Sequence, residues 1–134
     1  MVKQIKSNFL LDTDILVDLF HDQEYADILV AHLLSLGRLF ISVITIAELQ
    51  AGFSKEQSDF FLPKLYSIVK IFDLTKKEAE LGGRFRFEYG TKGKILSITD
   101  TLIAATAILE KCQLVTRNRK DFPMPQIKFY SIGE

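Results

Sequence analysis

At 134 residues the chain has the length of one domain, enough to bury about two-thirds of the surface it exposes when unfolded. Hydrophobic residues make up 48% and charged residues 25%, an ordinary soluble globular balance. The 17 Lys plus Arg cancel 17 Asp plus Glu, which argues against a dominant non-specific electrostatic grip on nucleic acid while leaving room for a local basic rim.

Cys112 is the single cysteine, so an internal disulfide is excluded. It lies in an apolar stretch and reads as a buried, inert thiol, in keeping with a reducing, cytoplasmic setting. Eleven Phe and no Trp point to a Phe-rich core. Met1-Val2-Lys3-Gln4-Ile5-Lys6 does not read as a signal peptide, because the apolar run that follows, Phe9-Leu10-Leu11, is cut short by Asp12. No stretch approaches the roughly 20 apolar residues of a membrane span.

Strand-like and helix-like patterns alternate along the chain, with no linker, repeat or low-complexity segment. Phe9-Leu10-Leu11 is a short buried strand. Ile15, Leu16, Leu19 and Phe20 recur at helical spacing, with Asp14 placed to cap that helix. A second helix runs from about Gln23 to Leu36 and stops at Gly37. Leu39–Val43 is a second strand, followed by a helix carrying Ile46, Leu49 and Gln50 that ends near Gly52. Ser54-Lys55-Glu56-Gln57 resembles a capping box opening another helix, in which Pro63 invites a kink or break. Ile68–Phe72 is a third strand. Thr75-Lys76-Lys77-Glu78 is a second capping box, for a helix extending past Gly82-Gly83 toward Tyr89. Gly90–Lys94 is a loop. Asp100 to Lys111 is apolar on nearly every side and is expected to be buried on several faces. Gln113–Thr116 is a fourth strand and Ile127–Ile132 a fifth, at an edge. The alternation predicts a single α/β domain over 1–134, three layers deep, with a mainly parallel sheet of about five strands. In such sheets, sites form beyond the carboxyl ends of the strands.

Four short acidic signatures punctuate this pattern: Leu11-Asp12-Thr13-Asp14, Thr45-Ile46-Ala47-Glu48-Leu49, Thr99-Asp100-Thr101-Leu102-Ile103-Ala104-Ala105, and Thr116-Arg117-Asn118-Arg119-Lys120-Asp121-Phe122. Each carboxylate stands at the edge of an apolar stretch. Brought together, the carboxylates repel one another unless a cation holds them. Magnesium and manganese suit such all-oxygen sites, and metal-held carboxylates without a nucleophilic Ser or Cys point to phosphodiester hydrolysis by activated water. The plain alternatives are helix capping for Asp12 and for Thr99 or Asp100, and a solvent-facing position for Glu48.

The same residues carry a resemblance. The chain resembles the PIN-domain ribonucleases, most closely the VapC-type toxins of toxin–antitoxin pairs. Its opening is similar to the family's "LDTN" strand end, with Asp14 in place of the usual Asn. The segment from Thr45 through Glu48 to Gly52 is similar to the central Glu motif. The run Asp100 to Ala107 matches almost letter for letter, and Leu114 to Phe122 is similar to the closing motif. The four stand in the family's order and at its usual spacing, over nearly the whole chain.

The resemblance implies a metal-dependent endoribonuclease holding Mg2+ or Mn2+ on Asp12, Glu48, Asp100 and a fourth group. That group is Asp121, which carries charge, or Asn118, which offers a neutral oxygen. Asp121 is favoured, with Asn118 beside the ligands and Asp14, Thr13, Thr45 and Thr116 around them. It further implies a homodimer, a small protein antitoxin whose C-terminal segment covers the site, and RNA products with 5′-phosphate and 3′-hydroxyl ends. Arg117, Arg119 and Lys120, with Arg84, Arg86, Lys92 and Lys94, are either a solvated face or a phosphate-binding rim. Phe85, Phe87 and Tyr89 are expected to pack in the core and at its boundary rather than stack on bases. His21 and His32 lie outside the motifs. Leu29, Leu33 and Leu36 exceed what one helix face buries and are expected to contribute to a two-fold dimer. Two further readings stay open: an RNA-processing nuclease of the same type without an antitoxin, and a catalytically silent binding module on the same fold.

Overall fold

A computed structural model describes residues 7–132 of the chain; the reading of Met1–Lys6 lies outside them. The elements follow in the order β1 (Ser7–Leu11), α1 (Thr13–Phe20), α2 (Glu24–Leu36), β2 (Gly37–Ser42), α3 (Val43–Gly52), α4 (Lys55–Tyr66), β3 (Lys70–Phe72), α5 (Lys76–Thr91), α6 (Ile98–Leu109) and β4 (Gln113–Val115), then a 3-10 turn at Arg119–Asp121.

The strands form one sheet in the order β3-β2-β1-β4, every pairing parallel. Side chains alternate across it. Phe9, Leu11, Leu39, Ile41 and Val115 face one buried cluster, shared with α1, α2, α3 and α4. Leu10, Phe40 and Leu114 face the other, shared with α5 and α6. The sheet is therefore covered on both faces, as a parallel sheet must be, and the layers are α/β/α.

Among the described residues the sheet has four strands rather than five. The segment after Pro125 contributes one parallel bridge, Leu114 to Phe129, closed by Leu114 N–H to Lys128 O at 2.8 Å and Tyr130 N–H to Leu114 O at 3.0 Å. β4 is only three residues long, too short to template a full neighbour.

Both predicted capping motifs form. Ser54 and Gln57 bond reciprocally, and the Thr75 N–H and hydroxyl both donate to Glu78. Pro63 does not break α4, which runs through it; Pro63 and Asp59, whose carbonyl loses its helical donor there, are both exposed. The predicted loop at Gly90–Lys94 is shorter, because α5 continues to Thr91. Asp12, not Asp14, is the N-cap residue of α1. Helix α6 starts at Ile98 behind an N-cap at Ser97, so neither Thr99 nor Asp100 is its cap. Cys112 is buried, and burial pushes its thiol up to about 12, which keeps it protonated and inert.

The dimer surface read from Leu29, Leu33 and Leu36 is corrected. Leu29 is 8% and Leu33 0% exposed, because both share a buried cluster with Phe61, Leu62 and Leu65 of α4. Only Leu36 remains exposed.

Gly37 has a role beyond ending α2. It turns the chain directly into β2, opposite Ser7, and a Cβ there would stand 1.9 Å from the Ser7 carbonyl oxygen. Backbone cannot yield as a flexible side chain would. Gly37→Ala is expected to destabilise the fold by about 3 kcal/mol or more, read from the urea midpoint at unchanged m-value.

Candidate active site

The parallel strands β1 and β4 end side by side, and Asp12 is the first residue beyond them. Its N–H donates to Val115 O at 3.0 Å, which extends the ladder by one bond and draws the side chain under the sheet edge, where the residue is 6% exposed. Oδ1 accepts from the Thr13 N–H at 2.9 Å and Oδ2 from the Thr116 hydroxyl at 2.8 Å. Thr116 in turn accepts from the Asn118 N–H at 3.0 Å.

Asp14 sits two residues on, at the start of α1. Its Oδ1 accepts from the Ile15 N–H at 2.9 Å. Its Oδ2 accepts from the Arg117 N–H at 2.9 Å and from the Asn118 side-chain amide at 3.3 Å. The segment after β4 thus holds both acids of the first motif.

Glu48 comes from α3. Its Oε1 accepts from the Thr13 hydroxyl at 2.7 Å, and the Thr45 hydroxyl lies 3.4 Å from that same oxygen of Thr13. Asp100 comes from the opposite layer, in the first turn of α6, where its N–H donates to Ser97 Oγ at 3.1 Å. Asp121 ends the 3-10 turn, its N–H donating to Asn118 O at 2.9 Å.

These acids share one electrostatic field. Burial first, then repulsion from Asp14 and Asp100, pushes Asp12 up to about 7 against the opposing bonds from Thr116 and Thr13. Asp14 is raised chiefly by burial. Asp100 is raised by burial and by repulsion from Asp121, Glu48 and Asp14, with the Ser97 bond opposing.

The set expected to hold an ion, Asp12, Glu48 and Asp100 with a fourth group, is not drawn tightly together as the side chains stand. Among the described residues no three acid, His or Cys side chains are grouped tightly enough, as they stand, to hold one ion. Glu48 is turned to the Thr13 hydroxyl, and both Asp12 oxygens hold donors of their own. The donor set nevertheless fits a hard divalent cation: it consists of carboxylate oxygens, carries repulsion that positive charge relieves, and contains no His or Cys.

The basic residues divide. Arg117 is engaged inside the molecule, with Nη1 2.8 Å from Asp18 Oδ2 and its guanidinium 5.4 Å from the centre of the Tyr25 ring. Arg119 packs over Phe129. Lys94 donates to Lys120 O at 3.0 Å, which ties the connection after α5 to the 3-10 turn and joins the two basic stretches. Arg86 donates to Leu96 O at 2.9 Å, while Arg84 lies over Phe87 and Lys92 over Tyr89. Phe85 is buried and Tyr89 half-buried as expected, but Phe87 is 63% exposed. It lies on the outer side of α5, away from the buried cluster that holds Phe85. His21 and His32 are both exposed.

Three contributors were not read from the sequence. Ser97 fixes the N–H of Asp100, and the pattern Ser97-Ile98-Thr99-Asp100 is itself a helix-start signal. Asp18 and Tyr25 brace Arg117; a contact between α1, α2 and the segment after β4 has no local sequence signature.

A parallel α/β/α domain with one buried acid, Asp12, and half-buried acids around it beyond β1 and β4 is the frame of a hydrolase that acts through carboxylates. Residues 9–127 match the PIN domain family, and the chain belongs to it. It is 38% identical over 120 residues to Ribonuclease VapC2 of Rickettsia felis, covering 85% of this chain and 89% of that protein. It is 34% identical over 116 residues to Ribonuclease VapC19 of Mycobacterium tuberculosis, covering 86% and 92%. Among solved structures it is similar to a chain of VapBC2 from Rickettsia felis bound to a DNA fragment from their promoter, with a TM-score of 0.82, 32% identity, and 92% and 97% of the two chains covered. It is also similar to a chain of a toxin–antitoxin complex from Klebsiella pneumoniae, with a TM-score of 0.73, 31% identity, and 93% and 98% covered.

The raised carboxyl of Asp12 sets a stability slope. Between its usual 3.8 and about 7 the folded state binds a proton that the unfolded state has lost, so stability falls as pH rises through that window. Asp12→Asn is expected to flatten this slope and, in EDTA at pH 8, to raise the melting temperature above wild type. Urea unfolding at pH 5 and pH 8 measures the slope, and a thermal scan in EDTA at pH 8 measures the melting temperature.

Proposed function

We propose that the chain is a Mg2+- or Mn2+-dependent endoribonuclease and the toxin half of a VapBC-type pair. The observation that carries this reading is the shared field of Asp12, Glu48, Asp100 and Asp121, drawn from both helical layers to one end of a parallel sheet. Asp12, Glu48, Asp100 and Asp121 would hold the ion, which when bound supplies an acidified water and neutralises charge on the scissile phosphate.

The chain's own residues set the stage. Thr13 and Thr116 fix the rotamer of Asp12, and Asn118 steadies Asp14 and Thr116 without contributing charge. Lys92, Lys94, Arg119 and Lys120, with Arg84 and Arg86, form the rim that receives phosphates. In-line attack by water leaves 5′-phosphate and 3′-hydroxyl ends.

A protein antitoxin is the expected partner, supported by the similarity to chains solved in toxin–antitoxin complexes. A homodimer is expected too. With Leu29 and Leu33 buried, the surface for it moves to the shelf of Phe87, Ile95 and Ile98, which are 63%, 80% and 45% exposed and line one depression.

RNA cleavage is expected to require added Mg2+ or Mn2+ and to stop in EDTA. Asp12→Asn should lower kcat by at least ~10²-fold. Asp121→Ala should weaken Mn2+ affinity and cleavage more than Asn118→Ala, because a carboxylate gives a divalent ion more than an amide does. Wild-type behaviour in Asp121→Ala beside a dead Asn118→Ala reverses the assignment. Cleavage at full rate after chelation overturns the metal reading.

Sedimentation should show a dimer at micromolar concentration that Phe87→Glu converts to monomer. Dimer persistence in Phe87→Glu moves the interface elsewhere.

A further inference from the structure

The side chain of Arg117 stands at the mouth of the site but is turned away from it, toward α1 and α2. Its guanidinium donates to Asp18 Oδ2 at 2.8 Å and covers the Tyr25 ring at 5.4 Å. The Tyr25 hydroxyl donates to the same Asp18 oxygen. Asp18 lies one helical turn beyond Asp14 on α1, and Tyr25 lies on α2. Two side chains from two other segments thus close on one carboxylate of α1.

The backbone of the same residue works on the other side. The Arg117 N–H bonds Asp14 Oδ2 at 2.9 Å, and the neighbouring Asn118 adds its amide to that oxygen at 3.3 Å. One residue earlier, Thr116 holds Asp12 at 2.8 Å. The segment 116–118 lies beyond the end of β4 and forms no ladder of its own. Beside its bonds to the two acids and the burial of Thr116, the segment is tied to α1 by Arg117 on Asp18 and to α2 by Arg117 on Tyr25.

We infer that Arg117 is a positioning residue: with Asp18 and Tyr25 it clamps the segment 116–118 onto α1, so that its backbone and its neighbours present Asp14 and Asp12 in fixed orientation. The sequence left Arg117 open between a solvated face and a phosphate-binding rim, and a rim role and a clamp role make opposite demands on Asp18. A phosphate-binding Arg is freed by losing its carboxylate partner. A clamp is broken by losing either half. Arg suits the clamp because its planar guanidinium can bond a carboxylate and lie over an aromatic face at once. Lys can supply only the charge.

The inference rests on the metal-holding reading of Asp12, with Asp14 beside it, for its effect on catalysis, but the clamp itself has a metal-free readout. Four proteins serve: wild type, Arg117→Ala, Asp18→Asn and the double variant, with Arg117→Lys as the conservative control, each checked for unchanged circular dichroism. In EDTA, amide exchange at residue 117 should quicken by roughly tenfold in Asp18→Asn. Mn2+ affinity by calorimetry should fall on the order of 10-fold in Arg117→Ala and in Asp18→Asn alike. The double variant should be no worse than either single one, and Arg117→Lys should recover part of the loss. In cleavage assays kcat should fall with KM for RNA unchanged, and RNA affinity in EDTA should stay as in wild type.

Loss of RNA affinity in Arg117→Ala with none in Asp18→Asn overturns the clamp and makes Arg117 a direct RNA contact. Wild-type exchange and Mn2+ affinity in both single variants overturn it as well. If wild type itself binds no Mn2+, the metal reading fails, and the exchange measurement still decides the clamp.

Discussion

The site depends on one constraint: the carboxylate of Asp12 is held where water barely reaches it, with other acids close by. Burying an ionised group costs several kcal/mol unless it is bonded or paired. Two donors, the Thr13 N–H and the Thr116 hydroxyl, offset part of that cost, and the position still pushes the acid up to about 7. A sequence under selection for stability alone has cheaper choices at a strand–helix junction, where an exposed Ser or Asn caps as well. The strain is explicable as stored affinity for positive charge, which is how stability and activity come to oppose each other at functional sites.

Everything else positions that group and its neighbours. The parallel register brings the ends of β1 and β4 together, which sets Asp12 against Thr116. The layer of α1 to α4 supplies Thr13 and Glu48, and the layer of α5 and α6 supplies Asp100. The acids therefore share one field only if both faces of the sheet are packed. The two buried clusters that flank the sheet are as much part of the site as the carboxylates are.

Much of this was legible in the residues. Apolar runs ending in acids located β1 and the start of α6, and capping boxes located α4 and α5 because those bonds are local. The acids that share one field beyond β1 and β4 were singled out through motifs whose chemistry is written in residue type. The illegible parts are long-range. Leu29 and Leu33 looked surplus on α2 because nothing in a helical period shows that both join the buried cluster that Phe61, Leu62 and Leu65 also fill. Gly37 was read as a helix stop, whereas its lack of a side chain matters for the approach to Ser7. Phe87 shares the helical pattern of Phe85 but faces outward. Glu48 lies toward Thr13 because the hydroxyl is its nearest donor, a rotamer choice that no spacing predicts.

The placement of Asp100 shows how packing can set chemistry at a distance. Helix α6 is lined with small buried residues, Ala104, Ala105 and Ala107, which let it lie close to the sheet. Gly82 of α5 does the same from outside: a Cβ there would stand 2.8 Å from a methyl of Leu102 and 3.2 Å from the Thr101 carbonyl. A bulkier residue on either side moves α6 as a rigid rod, since interiors this dense transmit displacement rather than absorb it. Asp100 rides on the first turn of that rod, so its distance to Asp12 is fixed by residues that carry no charge and never touch the site. The carboxylates specify the chemistry, and the alanines and glycines of α5 and α6 specify how far apart they act.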